Sequence, residues 1–157
     1  MEARINGLSM SWDEAGTRGA GPTALLVHGF PLDRSMWRPQ LEALAPVAHL
    51  VAPDLRGHGA TEAPPGPYPM DDFAADLRAL LDHLGVERAV YCGLSMGGYI
   101  GFAFIRRYAE RLAGLVLADT RAGADTDEGR AAREDLARFV EHEGSAAAAD
   151  RLLPRYV

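Results

Sequence analysis

Four short apolar runs limit what this chain can fold into more than any other feature. They are "TALLVHG" (Thr23 to Gly29), the run from His49 that ends at Pro53 and Asp54, "RAVYCGL" and "LAGLVLAD". Each is continuous, apolar and closed by a turn residue, the signature of a strand buried on both faces. Helical patterns lie between them. In "WRPQLEALA", Trp37, Leu41 and Leu44 fall at i, i+4 and i+7, with Pro39 tolerable in a first turn. In "DDFAADLRALLDHLG", Phe73, Leu77, Leu80, Leu81 and Leu84 form one apolar face, Asp71 and Asp72 suit its N-terminus, and Gly85 ends it. "MGGYIGFAFIRRYAERL" is apolar on nearly all sides up to Ile105, which predicts a well-buried helix. Strand and helix in strict alternation mean a mostly parallel sheet with helices on both faces.

The opening "RINGLSMSWDEAG" predicts one or two antiparallel edge strands, whereas "DTDEGRAAREDLARFVEHEG" and "SAAAADRLLPRYV" read as two helices with no strand between them. The expected organisation is an α/β core over 1–120 and a helical segment over 121–157. With 157 residues, the chain is short for such a layered protein, since one-domain α/β proteins commonly run to about 200–250. The sheet is therefore expected to be incomplete at its C-terminal side. A sheet that stops at "LAGLVLAD" exposes an apolar edge open to self-association.

Charge narrows the function classes. A net charge of −6 and a pI near 5.3 argue against nucleic acid or an anionic membrane as partner. All 16 basic residues are arginine, which removes a P-loop lysine, a Schiff-base lysine and a Ser–Lys dyad. The single cysteine, Cys92, reads as a core residue and fits a reducing compartment. The N-terminus shows no signal-peptide pattern, and no run is long enough to span a bilayer. A cytoplasmic protein is expected.

Gly93-Leu94-Ser95-Met96-Gly97 is a G-x-S-x-G motif between a predicted buried strand and a predicted helix. A serine on so tight a turn is held in a strained backbone conformation, and glycines two positions either side let neighbouring backbone approach. Its hydroxyl is presented at a strand's carboxyl end and a helix N-terminus, where developing negative charge is favoured. The bland reading is a glycine-rich turn with a capping serine. "VHGFPLD" and "PDLRGHGAT" follow the first two strands, and Gly57 and Gly59 suit a tight loop beside the serine.

"HGFPLDRSMW", "DLRGHGAT" and "GLSMGG", in this order, resemble the α/β-hydrolase fold family. The nearest subgroup in these motifs holds 3-oxoadipate enol-lactonases, small-ester hydrolases and cofactor-free haloperoxidase-type enzymes. The resemblance spans about Leu25 to Asp119 and continues more loosely into "ADTRAGADT", where the family begins a helical cap. It implies that Ser95 is the nucleophile of an acyl-enzyme, with Phe30 and Met96 supplying the oxyanion-hole N–H groups. A small ester or lactone substrate and no cofactor are implied with it.

The family's chain order then asks for an acid and a histidine after Ser95. Only His142 follows, on a predicted amphipathic helix, and reads as a solvated side chain. His28 and His58 belong to the loops already described, His49 starts a strand, and His83 lies near a helix end. Asp119 is a candidate acid and equally a turn or cap aspartate. No metal site emerges: the "HEG" at His142 lacks the second histidine of H-E-x-x-H. The rival reading is a catalytically incomplete fragment or degenerate hydrolase with a binding role at most. A third is acyl transfer or perhydrolysis from the same acyl-enzyme.

Overall fold

The computed structural model describes residues 1–155. They fall into two compact units, one of Met1–Ala122 and a second beginning at Gly123. The first unit is built on a six-stranded sheet in the order β1-β2-β4-β3-β5-β6. Its strands are β1 (Glu2–Ile5), β2 (Leu8–Ala15), β3 (Thr23–Val27), β4 (His49–Pro53), β5 (Ala89–Leu94) and β6 (Leu112–Ala118). β3 to β6 run parallel, while β1 and β2 form an antiparallel hairpin. Of the one or two antiparallel edge strands expected from the N-terminal segment, two form, but of these only β1 is an edge. β2 lies inside the sheet because its other side pairs with β4, Trp12 opposite Pro53 and Ala15 opposite Leu50.

Alternation along each strand sends side chains to two separate cores. Leu25, Val27, Val51 and Tyr91 face the helices α2 (Met70–His83) and α3 (Met96–Tyr108). Leu26, Leu50 and Ala52 face the opposite way, onto Trp37 and Leu41 of the α1 region (α1, Arg38–Leu44). The predicted face of α2 is the buried one, and Gly85 takes φ +64° just past its end. α3 buries Ile100, Ala103 and Phe104 completely. Tyr99, Phe102 and Ile105 stay half-buried, so its outer side is less enclosed than the all-apolar sequence suggests.

α2 is tied to the loop after β4 by a buried ion pair. Asp76, 1% exposed, takes both ends of the Arg56 guanidinium at 2.6 and 2.8 Å and a third bond from Asn6 Nδ2 at 2.7 Å. A bidentate carboxylate–guanidinium pair with a further donor on the carboxylate is the geometry that offsets the desolvation of both charges. On the far side, β6 has only β5 as a partner, and Leu115, Val116 and Leu117 are 40%, 48% and 38% exposed.

In the second unit, α4 (Asp127–Leu152) begins at Thr126, whose side chain caps the Gly129 N–H. Gly144 interrupts it at φ 82° and ψ 173°, which divides it into the two expected helical stretches. Tyr156 and Val157, the end of the second expected helix, lie outside the described residues.

Removing one partner of the buried pair strands the other charge. Asp76→Ala is expected to lower stability by about 3 kcal/mol in urea unfolding. Arg4→Ala, which removes a cation that is 71% exposed from the Glu62 pair, should stay within about 0.5 kcal/mol.

Candidate active site

β5 ends at Leu94 and α3 begins at Met96, so the whole reversal is made at Ser95. Ser95 takes φ 50° and ψ −110°, outside the regions an L-residue ordinarily occupies. Two glycines permit it. A Cβ on Gly93 would overlap the Gly97 carbonyl, and one on Gly97 would overlap the Val27 carbonyl of the neighbouring strand. The Ser95 N–H is satisfied by the Ala118 carbonyl of β6 at 2.9 Å, and its own carbonyl accepts from Gly98 N–H at 2.9 Å. Ser95 is the N-cap residue of α3, yet its hydroxyl makes no capping bond. The capping reading of this serine therefore fails, and the hydroxyl is left half-buried at the carboxyl end of the sheet.

The loop after β3 lies directly against it. A Cβ on Gly29 would come within 3.3 Å of the Ser95 Cβ and of the Leu94 carbonyl, a tight contact that any larger residue could make only by shifting its neighbours. His28 holds the loop from behind. It is fully buried, and its Nε2 accepts the Leu55 N–H at 3.1 Å. That bond fixes the tautomer, so Nδ1 carries the proton and donates to the Gly29 carbonyl at 3.0 Å. Both nitrogens are used in joining two loops, and neither is available as a base. Phe30 is 44% exposed, with its ring edge-on to His58 at 6.1 Å.

The loop after β4 is organised by Asp54, a residue whose role the sequence alone did not reveal. It is 1% exposed and accepts from the Arg34 N–H at 2.8 Å and the Ala60 N–H at 2.7 Å, with an ion pair to the Arg34 guanidinium. Gly57 and Gly59 take φ +74° and +53°, and a Cβ on Gly59 would overlap the Asp54 carboxylate. The His58 Nδ1–H donates to the Arg56 carbonyl at 3.0 Å, so that nitrogen holds its own loop.

The other candidates disperse. Asp119 follows the last residue of β6 with φ 43°, beside the carbonyl that takes the Ser95 N–H, and its side chain is exposed. Its neighbour Thr120 donates to the Ser95 carbonyl at 2.9 Å. His49 is buried between Glu14 at 2.9 Å and Thr23 at 3.1 Å. His83 packs edge-on against Trp12, and His142 is exposed on α4 of the second unit. Burial pushes the Cys92 thiol pKa up, which makes it a poor nucleophile. Among the described residues no group of three or more metal-ligating side chains converges, and no helix is long and apolar enough to cross a membrane.

Two measurements follow from this packing. Burial holds His28 below the ordinary imidazole pKa of 6.5, so on acidification the unfolded chain takes up a proton that the folded one refuses. This part of the stability is complete above about pH 6.5 and is lost as the pH falls further, which urea midpoints taken at successive pH values will show. Gly97→Val drives two methyl groups and a Cβ into the Val27 carbonyl and should cost about 3 kcal/mol or prevent folding, read from the same unfolding curves.

The fold that carries this arrangement recurs in known proteins. Residues 22–152 match the family model described as the alpha/beta hydrolase fold. The 3-oxoadipate enol-lactonase 2 of Acinetobacter baylyi is 34% identical over 117 residues, 74% of this chain and 44% of that protein. Epoxide hydrolase A of Mycobacterium tuberculosis is 39% identical over 113 residues, 70% of this chain and 35% of that protein. Among solved structures, an enol-lactonase from Burkholderia xenovorans LB400 superposes with a TM-score of 0.90 at 37% identity, covering 99% of this chain and 59% of that one. A thermophilic esterase from Thermogutta terrifontis gives 0.88 at 42% identity, covering 99% and 58%. The chain thus spans less than half the length of these curated relatives and under two thirds of these solved chains. With a family model that matches over most of its length, this chain belongs to the alpha/beta hydrolase fold family.

Proposed function

We propose that Ser95 is the nucleophile of a serine hydrolase that acts on a small carboxylic ester or lactone. The observation that carries this reading is the uncapped Ser95 hydroxyl on a left-handed residue at the β5–α3 turn. Attack by the hydroxyl oxygen on the substrate carbonyl, its proton passing to the base, forms a tetrahedral intermediate. Collapse breaks the C–O bond, releasing an ester's alcohol or opening a lactone ring with the proton returned to the leaving oxygen, and leaves an acyl-enzyme that water then hydrolyses. The N–H of Met96, first residue of α3, and that of Phe30, in the loop against Ser95, are the proposed donors to the oxyanion. Both come from backbone that is already anchored, by β5 and α3 for one and by His28 for the other, so little reorganisation accompanies the reaction.

The relatives divide between lactone or ester hydrolysis and epoxide hydrolysis, and serine chemistry favours the former. A serine oxygen that opened an epoxide would leave a C–O–C ether, which offers no carbonyl for water to attack and would end the cycle. An acyl group on the same oxygen is an ester and turns over. Transfer of that acyl group to an acceptor other than water, peroxide included, uses the same intermediate. The exposed Phe30 ring and the half-buried Leu94 and Met96 around Ser95 suit a substrate that is small and partly apolar.

The reading needs a histidine base, and in the first unit His28 and His49 have both ring nitrogens engaged elsewhere, while His58 uses Nδ1 to hold its own loop. We place the base in the part of the full-length protein that corresponds to the uncovered portion of the relatives. Asp119, exposed one residue beyond the carbonyl that anchors Ser95, is the proposed acid that orients it. The second reading, a catalytically incomplete chain, is favoured by the same engagement of the histidines.

Hydrolysis of a p-nitrophenyl ester separates the two. Ser95→Ala should keep the fold, judged by circular dichroism and its unfolding midpoint, and lower turnover at least about a thousandfold. Unchanged turnover in that variant would refute the assignment, and an inactive parent chain would favour the incomplete-site reading.

A further inference from the structure

The G-x-S-x-G turn accounts for Gly93 and Gly97 but not for the two glycines that follow, Gly98 and Gly101. Neither takes a left-handed φ, so backbone conformation does not require them. Each instead vacates space for one hydroxyl-bearing side chain. A Cβ on Gly98 would overlap the Thr120 side chain, and a Cβ on Gly101 would stand 2.9 Å from Cε1 of the Tyr91 ring.

Those two side chains grip the turn from opposite ends. Tyr91 lies on β5 four residues before Ser95 and is 1% exposed, and its hydroxyl donates to the Gly97 carbonyl at 2.7 Å. The bond crosses from the strand arm of the turn to its helix arm. Phe104 packs at a tilt against the Tyr91 ring at 5.6 Å, and Tyr108 packs edge-on against Phe104 at 5.4 Å, so the ring is wedged in place. Burial also raises the Tyr91 pKa well above the ordinary phenol value, which keeps the hydroxyl a neutral donor. Thr120, beyond the end of β6, donates from Oγ1 to the Ser95 carbonyl at 2.9 Å. That carbonyl already accepts from the Gly98 N–H at 2.9 Å and the Tyr99 N–H at 3.3 Å, so the threonine binds the first turn of α3 at its origin.

Both bonds come from side chains and so add to the backbone ladders of the helix and sheet without belonging to them. Their shared consequence is the angle between β5 and α3, which sets where the Ser95 hydroxyl and the Met96 N–H point. We infer that Tyr91 and Thr120 are positioning residues for the Ser95 site, acting through the Gly97 and Ser95 carbonyls. The inference rests on the proposed role of Ser95 for its effect on rate, while its effect on the turn stands apart from that role.

The test uses the full chain with Tyr91→Phe, Thr120→Val, the double variant and Thr120→Ser. Each single hydroxyl deletion is expected to lower kcat for a p-nitrophenyl ester about fivefold to tenfold with KM changed less than about twofold. The double variant should lose about the product of the two or more, and Thr120→Ser, which restores the donor, should recover the parent rate. Hydrogen–deuterium exchange of the segment 96–101 should quicken in the deletions while β3 and β4 keep their protection. A parent without esterase activity removes the kinetic arm, and exchange alone then decides. Unchanged exchange over 96–101 in the double variant overturns the inference, as does a kcat that stays at the parent value while only the unfolding midpoint drops.

Discussion

The close crossing of β5 and α3 at Ser95 is the constraint on which the rest of this structure depends. Backbone there approaches backbone so closely that Gly93 meets the Gly97 carbonyl and Gly97 meets the Val27 carbonyl, with no room for a methyl group. Ser95 pays with a left-handed conformation, φ 50°, that only surrounding structure can sustain. β6 supplies part of that support by taking the Ser95 N–H on the Ala118 carbonyl, and β3 supplies the wall against which the helix rests. A single strained residue is thereby tied to three parallel strands.

The loops around it are held by polar groups that are buried and fully partnered. His28 uses both ring nitrogens, Asp54 accepts from two backbone amides and an arginine, and Asp76 closes on Arg56 with Asn6 behind it. Each of these would be costly unpaired, and each joins segments far apart in the chain. They keep the carboxyl end of the sheet rigid enough to present a hydroxyl, at the expense of sensitivity to single substitutions. Cost falls differently at the other margin. β6 shows Leu115, Val116 and Leu117 to the outside, a feature that the fold's own interior packing does not cover.

Much of the fold was legible because its signals are local. Short apolar runs between amphipathic helical patterns specify parallel strands, since a buried strand and a one-faced helix each have only one way to satisfy their surfaces. The nucleophile turn was legible for the same reason: a serine between two glycines at a strand–helix boundary carries its steric logic within five residues. Other features were not legible. The position of β2 inside the sheet depends on its pairing with β4, some forty residues away. The buried role of Asp54 depends on Arg34 and Ala60 arriving from different loops.

By itself, the sequence determined which segments become strands and helices, where the chain must turn at Ser95, and that no lysine chemistry is available. Only the tertiary structure decided that the Ser95 hydroxyl is spared from capping, that His28 is a neutral strut and not a base, and that Gly98 and Gly101 make room for Thr120 and Tyr91. The physical reason is range. Steric and periodic rules act between neighbours along the chain, whereas hydrogen-bond partners and close packing are fixed only when distant segments meet.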